Sequence, residues 1–309
     1  MMENLALGAM WFGTWTDERT SFEILDRFVD AGGVWIDTSN SYAFWVHESG
    51  FGGQSETVLG RWLASRPGVR DRVRLSTKVG AEPAETGPWP ETAEGLSAAV
   101  VKKAIEGSFG RLGTDRVELY WAHMPDRSTP LEETVGAFDD LVEAGTVARV
   151  GCSNYPVWQL ERSRQLSRTG GFTAVQQLHT YLRPRPGIRP SGLRFGALSD
   201  EVLHYLEHHP DVALWAYTPL LSGGYTRADK PLAEGYDHPG TTRRLAALDE
   251  VVAETGTNRN RVVLGWLSGG HPAATPIVGV SSVEQLAEAI AGVSLALTAS
   301  QRERLDAAM

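Results

Sequence analysis

The chain has 309 residues, 42% of them hydrophobic, which is enough apolar material for one large core and too much for a disordered chain. Its net charge of −9, with no basic cluster, argues against a nucleic-acid partner, because neutralising phosphates needs a cationic face. The lone Cys152 excludes an internal disulfide, no apolar run is long enough to span a bilayer, and the acidic start Met1-Met2-Glu3-Asn4 lacks the basic and apolar regions of a signal peptide, so no membrane association and a cytoplasmic location are expected.

Short apolar runs alternate with amphipathic stretches from end to end, the pattern of repeated βα units on a parallel sheet. In chain order the predicted elements are a strand at 5–9, a helix at 18–31, a strand at 34–38, a helix at 54–65, a strand at 73–79 and a helix at 97–112. There follow a strand at 117–122, a helix at 131–144, a strand at 147–152, a helix at 156–167, a strand at 173–177 and a helix at 199–208. The last part predicts a strand at 212–217, helices at 242–255 and 259–269, a strand at 274–279, and helices at 283–291 and 300–308. In the 97–112 helix, Val101, Ile105, Phe109 and Leu112 recur at helical spacing. Eight such units predict a (β/α)8 TIM barrel, and the absence of a composition shift or low-complexity linker predicts a single domain over 1–309. Loops 42–55, 80–96, 180–198 and 218–241 each follow a predicted strand and are expected over the barrel mouth. Their aromatics Phe44, Trp45, Phe51, Trp89 and Phe195 either line a pocket or cover loop backbone.

Lysine is scarce, four against twenty-five arginines. Lys102 and Lys103 stand in a polar helix stretch and Lys230 in a loop, but Lys78 closes the run Val73-Arg74-Leu75-Ser76-Thr77-Lys78-Val79. A lysine closing a buried strand is costly unless it is paired or used. Two other strand-like runs end near polar residues able to meet it, Val34-Trp35-Ile36-Asp37 with Tyr42 downstream, and Val117-Glu118-Leu119-Tyr120-Trp121-Ala122-His123. Reducing a carbonyl by hydride requires a proton donor at the developing alkoxide, and a tyrosine hydroxyl serves when its pKa is brought towards neutrality. A nearby ammonium does that, an aspartate keeps the ammonium charged, and a histidine orients the carbonyl oxygen. Singly the four have plainer accounts: a helix-capping Asp, a surface Tyr, a salt-bridged Lys, a hydrogen-bonded core His. Gathered at the ends of adjacent predicted strands, they read as one proton-transfer site.

At these residues the sequence resembles the aldo-keto reductase superfamily, and the resemblance runs over nearly the whole chain. It is carried in order by Ile36-Asp37-Thr38-Ser39-Asn40-Ser41-Tyr42, Ser55-Glu56-Thr57-Val58-Leu59-Gly60, Ser76-Thr77-Lys78, Arg111-Leu112-Gly113-Thr114-Asp115 and Tyr120-Trp121-Ala122-His123. It continues with Glu143-Ala144-Gly145, Gly151-Cys152-Ser153-Asn154-Tyr155, Ala216-Tyr217-Thr218-Pro219-Leu220 and Pro276-Ile277-Val278-Gly279. The resemblance implies NADPH-dependent reduction of an aldehyde or ketone. Tyr42 is then the general acid and base, Lys78 and Asp37 tune it, and His123 positions the carbonyl.

No G-x-G-x-x-G dinucleotide fingerprint occurs. By resemblance, Ser153, Asn154 and Gln176 hold the nicotinamide carboxamide, a task suited to short amides and hydroxyls. The Ser-Asn pair before Pro156 also reads as a helix cap. Three residues after the glutamine the family usually places a tyrosine that stacks on the nicotinamide; His179 stands there, a ring with weaker apolar contact. The resemblance sets the pyrophosphate against Thr218, Leu220, Ser222 and Gly223, where glycine lets backbone N–H groups approach closely. It sets the adenosine end against Gly279-Val280-Ser281-Ser282 with Gln285 and Glu288, and Ser281 can bond a 2′-phosphate at a helix N-terminus. No basic residue occurs between Gly279 and Glu288 to grip that phosphate, so NADPH is expected on family grounds with NADH left open, and Arg227 is the candidate grip. Ala289 stands where an asparagine is frequent.

Rival chemistries fare worse. No H-x-H, H-E-x-x-H or G-x-S-x-G motif occurs, His208-His209 before Pro210 reads as a helix terminus, and Cys152 reads as a small buried hydrophobe, so no metal site is expected. Two alternatives stay open: a cofactor-binding regulatory or redox-sensing barrel with little turnover, and a dehydrogenase oxidising a sugar or secondary alcohol. The expected substrate walls are Met10, Trp11, the 44–51 insertion with Phe44, Trp45 and His47, Trp89, Trp121 and the 180–198 loop. Their aromatic excess points to a bulky or cyclic small-molecule carbonyl. The stretch between Tyr42 and Glu56 is longer than the family's usual glycine link, and the short C-terminal segment predicts an open site without a long lid.

Overall fold

The computed structural model describes residues 1–188 and 196–308. Its elements are β1 (Met2–Gly8), α1 (Glu18–Asp30), β2 (Gly33–Asp37), α2 (Gln54–Ser65), β3 (Arg74–Val79), α3 (Ala98–Leu112), β4 (Leu119–Ala122), α4 (Leu131–Glu143), β5 (Val150–Ser153) and α5 (Val157–Leu166). They continue as β6 (Ala174–Leu178), α6 (Asp200–His208), β7 (Ala213–Tyr217), α7 (Pro239–Thr255), α8 (Arg259–Ser268), β8 (Ala274–Gly279), α9 (Val283–Val293) and α10 (Ala299–Ala307). The strands form a closed parallel barrel in the order β1 to β8. Contacts divide the chain into two compact units, Met1–Val175 with Gly279–Val283, and Gln176–Val278 with Glu284–Met309.

In the first unit, parallel register fixes which strand ends share a level. Asp37 of β2 pairs with Ser76 of β3, and Lys78 of β3 pairs with Trp121 of β4. The α3 helix begins where the Ser97 hydroxyl accepts the Val100 N–H and ends at Gly113 in the left-handed conformation. Its buried face is Val101, Ala104, Ile105, Ser108 and Leu112, while Phe109 is only half-buried. In the second unit β7 pairs with β8, Leu214 opposite Ala274. There the Tyr181 ring is buried, its hydroxyl donates to the Leu305 carbonyl at 3.1 Å, and Arg244 lies over its face at 5.1 Å.

Every predicted strand and helix forms, and the differences lie at the ends. β1 starts at Met2 although Glu3 and Asn4 are exposed, because a strand's first turn pairs through backbone alone: the Met2 N–H donates to the Gly32 carbonyl. β4 starts at Leu119 because Glu118 turns its carboxylate onto the Leu75 N–H, at 2.7 Å, and onto Arg70. α7 starts earlier than predicted, with Pro239 in its first turn and His238 as its cap.

Helix α2 packs on α3 through Gly60, where a Cβ would lie 2.0 Å from the Arg111 carbonyl oxygen; at Gly110, on α3, a Cβ meets nothing within 4 Å. Gly60→Ala is expected to cost about 3 kcal/mol or prevent soluble expression, and Gly110→Ala to gain up to about 1 kcal/mol. Chemical denaturation measures both, and equal effects would contradict this packing.

Candidate active site

The register of β2 and β3 builds the centre of the site. Ser76, opposite Asp37, donates its hydroxyl to Asp37 Oδ1 at 2.6 Å. Two residues on, and therefore on the same face, Lys78 reaches Asp37 Oδ2 at 2.5 Å, the Thr38 carbonyl at 2.7 Å and the Tyr42 hydroxyl oxygen at 2.8 Å. All three ammonium protons are thus taken, and the Lys78 and Asp37 side chains are both 0% exposed. The turn after β2 follows β3 upward, with the Thr38 N–H on the Ser76 carbonyl and the Asn40 N–H on the Lys78 carbonyl. It delivers Tyr42, half-buried, whose hydroxyl donates to Asp37 Oδ2 at 3.2 Å and whose ring centre lies 4.5 Å from Lys78 Nζ. Burial pushes the Lys78 ammonium below the ordinary lysine range, opposed by the charge and hydrogen bond of Asp37 and by the charge of Glu56.

His123 follows β4, fixed by its N–H on the Val79 carbonyl at 2.9 Å. Its ring stands edge-on to Tyr42, centroids 5.9 Å apart, with Nδ1 facing the Ser39 and Ser41 hydroxyls at 3.3 and 3.4 Å. Burial, and secondarily the Lys78 charge, lower its pKa to about 3, so the imidazole is neutral near pH 7. The four catalytic candidates, Asp37, Tyr42, Lys78 and His123, therefore lie together.

A layer of carboxylates that sequence patterns do not reveal supports them. Buried Glu56 accepts from Thr77 at 2.5 Å and from Arg111 Nε at 2.7 Å. Glu94 Oε1 takes both the Asn40 side-chain amide and the Gly80 N–H at 2.8 Å, tying the segment after β2 to the segment after β3. Glu82 accepts the Gly52 N–H at 2.9 Å. Burial raises Glu82 to about 7 and moves Glu94 upward as well. Their partners lie tens of residues away, so no local spacing signals them.

The cofactor candidates stand as follows. Ser153 ends β5, and Asn154, left-handed at φ 64°, donates its amide to Ser153 Oγ at 3.0 Å and to the His123 carbonyl at 3.2 Å. The pair is not a helix cap, since α5 starts from Pro156 without a side-chain cap. Gln176 is 2% exposed and its Nε2 has no hydrogen-bond partner among the described residues. The His179 ring leans on Trp266, centroids 5.5 Å apart, and burial lowers its pKa to about 4. After β7, Thr218, Leu221 and Ser222 all have positive φ, and Gly223 follows at 98°, with Leu220 inside this run. Tyr217, the last residue of β7, adds an aromatic at a strand end that the sequence patterns do not single out. Gly279 ends β8, Ser281 precedes α9, and Gln285 lies in its first turn. Both Glu288 oxygens are already held, by Asn258 at 2.6 Å and Asn260 at 3.0 Å, and Arg227 pairs with Asp229.

Among the substrate candidates, Trp11 stacks on Trp15 at 3.9 Å and meets Trp45 edge-on; Trp45 touches Phe44, and Phe44 touches Trp89. Trp15, which the sequence patterns pass over, is 70% exposed. Met10 is half-buried, and Phe195 lies outside the described residues. Trp121 is a correction: it is 0% exposed, filling the space beside Gly151, where a Cβ would lie 2.5 Å from the indole, so it packs the barrel instead of lining a pocket. Cys152 is buried, and burial raises its thiol pKa, as its reading as a small hydrophobe requires. On α6, His204, Glu207 and His208 bring ligand-type atoms within 4.8 Å, but all three are exposed, which gives a metal no desolvated pocket. Among the described residues no helix is long and apolar enough to cross a membrane.

The raised Glu82 pKa has a stability consequence. A carboxyl that holds its proton more tightly when folded stabilises below the unfolded value of 4.5, and that contribution is lost as pH rises through about 7. The Tm of the unmodified protein is therefore expected to fall relative to Glu82→Gln across that window; a difference constant with pH would contradict the burial argument.

With the geometry in place, comparison with known proteins is informative. Residues 4–309 match the Aldo/keto reductase family. The chain is 31% identical over 305 residues to an uncharacterized oxidoreductase of Bacillus subtilis, YrpG, covering 96% of this chain and 89% of the relative. It is 32% identical to the norsolorinic acid reductase stcV of Emericella nidulans, covering 95% and 75%, and 30% identical to the human aflatoxin B1 aldehyde reductase member 4, covering 92% and 87%. A solved structure, the thermostable aldo-keto reductase Tm1743 with the inhibitor epalrestat, shares the fold with a TM-score of 0.75 at 23% identity, over 100% of this chain and 96% of that one. A match over nearly the full length, relatives above 30% identity and the barrel itself agree: the chain belongs to the aldo/keto reductase family of NAD(P)H-dependent oxidoreductases.

Proposed function

We propose that the protein reduces an aldehyde or ketone to an alcohol with NADPH, Tyr42 acting as the proton donor. The observation that carries this reading is the Tyr42 hydroxyl, whose oxygen lies 2.8 Å from a fully buried ammonium. A positive charge at that distance stabilises phenolate over phenol and eases proton release. When bound, a reduced nicotinamide supplies hydride to the carbonyl carbon. Tyr42 passes its proton to the carbonyl oxygen, Lys78 holds the resulting phenolate, and Asp37 keeps Lys78 charged in dry surroundings. Neutral His123 hydrogen-bonds the same oxygen and orients it.

Features of individual residues support a nicotinamide cofactor. Gln176 Nε2 is a buried donor that an amide oxygen would satisfy. Ser153 and Asn154 carry a hydroxyl and an amide at the end of β5, and the left-handed run through Ser222 and Gly223 suits backbone contacts to pyrophosphate. His179 or Tyr217 offers a ring for stacking. For the adenosine end, Gly279, Ser281 and Gln285 carry the reading, while Glu288 already serves Asn258 and Asn260. The NADPH preference follows family habit, with Arg227 exchanging Asp229 for the 2′-phosphate. The chain of rings from Trp15 to Trp89 supports a cyclic or bulky carbonyl substrate.

Tyr42→Phe is expected to lower carbonyl turnover at least a thousandfold, a barrier raised by about 4 kcal/mol, while NADPH still quenches tryptophan fluorescence with nearly unchanged affinity. Turnover within a few-fold of the unmodified protein would overturn the assignment.

A further inference from the structure

His123 can orient a carbonyl oxygen only if the ring nitrogen facing the substrate carries hydrogen, because a bare nitrogen lone pair repels an oxygen lone pair. The ring is neutral near pH 7, so one nitrogen bears a proton and the other does not. The surroundings of Nδ1 decide which. It faces two hydroxyls, Ser39 Oγ at 3.3 Å and Ser41 Oγ at 3.4 Å, and the two serines lie 3.0 Å apart. Both are buried, at 0% and 1% exposure, so they settle their hydrogen bonds within the protein.

We propose that Ser39 and Ser41 act as a paired hydroxyl relay that donates to His123 Nδ1 and thereby holds the hydrogen on Nε2; this rests on the reading of His123 as the carbonyl-orienting group. The order of donors follows from the ends of the relay. Glu94 Oε1 accepts the Asn40 amide, which leaves Asn40 Oδ1, an acceptor, turned to Ser39 at 3.5 Å. The Ser41 N–H already donates to Ser39 Oγ at 3.3 Å. Two arrangements fill these contacts. If Nδ1 carried the hydrogen, the Ser39 hydroxyl would be left with the 3.5 Å contact to Asn40, the weakest in the set. If Nδ1 accepts, Ser39 donates across the 3.0 Å contact to Ser41, and Ser41 donates to Nδ1. Both arrangements use the 3.0 Å contact between the serines, but only the second spares Ser39 the 3.5 Å outlet, and it presents Nε2–H to the substrate. Ser39 and Ser41 are positioning residues, acting on the reaction through His123.

Nitrogen-15 NMR of histidine-labelled protein tests this, with His123→Gln identifying the resonance among eight histidines. The expected result is hydrogen on Nε2 in the unmodified protein and a mixed tautomer in Ser39→Ala/Ser41→Ala. Ser41→Thr, which restores the hydroxyl, should recover the Nε2–H form. Carbonyl KM should rise about tenfold in the double variant, the worth of one hydrogen bond, with NADPH binding unchanged. Hydrogen on Nδ1 in the unmodified protein, or an Nε2–H population indifferent to both serines, overturns the proposal; Ser41→Ala alone serves if the double variant fails to fold. The tautomer is read without turnover, so a relay found in a protein that reduces no carbonyl would refute the reductase reading and leave the relay standing.

Discussion

The buried ion pair of Lys78 and Asp37 is the constraint around which the first unit's chemistry is arranged. An ammonium without solvent is tolerable only if each of its protons is met, and here they go to Asp37, the Thr38 carbonyl and Tyr42. That requirement fixes the turn after β2, because Thr38 and Tyr42 must both return to the end of β3. The tyrosine is therefore held where its hydroxyl oxygen meets positive charge and its proton has an alternative acceptor in Asp37. Structure and chemistry ask the same geometry of these residues, so removing either charge would disturb both.

Around this pair stands a shell of acceptors, each tying two segments together. Glu94 joins Asn40 to Gly80, Glu82 holds Gly52 in the segment before α2, and Glu56 joins Thr77 to Arg111. Long loops at a barrel mouth have few ladder hydrogen bonds of their own, and these carboxylates supply the missing ones. Their burial raises Glu82 and Glu94 and makes the rim sensitive to pH where the central pair is not addressed by solvent.

Much of this was legible in the sequence, for identifiable reasons. Parallel βα units announce themselves by alternating apolar runs, and a strand-end residue such as Asp37, Lys78 or Ser153 needs only the strand to be located. What escaped depends on distant partners. Trp121 reads as a pocket aromatic until Gly151, thirty residues on, is seen to leave room for it inside the barrel. Ser39 and Ser41 stand in the sequence only as part of the motif that ends in Tyr42, since nothing local shows a histidine 84 and 82 residues away. Trp15 was hidden by its place in a short polar turn, although it stacks on Trp11. At the adenosine end, Glu288 fits the family spacing, while its hydrogen bonds to two asparagines at the start of α8 have no local signal.

The most direct test of the central claim is to supply the protein with NADPH carrying deuterium at the transferable position, together with a panel of cyclic and open-chain aldehydes and ketones, and to analyse the alcohols by mass spectrometry and NMR. Deuterium on the former carbonyl carbon, with the hydroxyl hydrogen drawn from solvent, is the predicted result, since the proposed reaction takes hydride from the cofactor and the proton from Tyr42. Alcohol formed without deuterium on that carbon, or no alcohol from any carbonyl while NADPH binds, would contradict it.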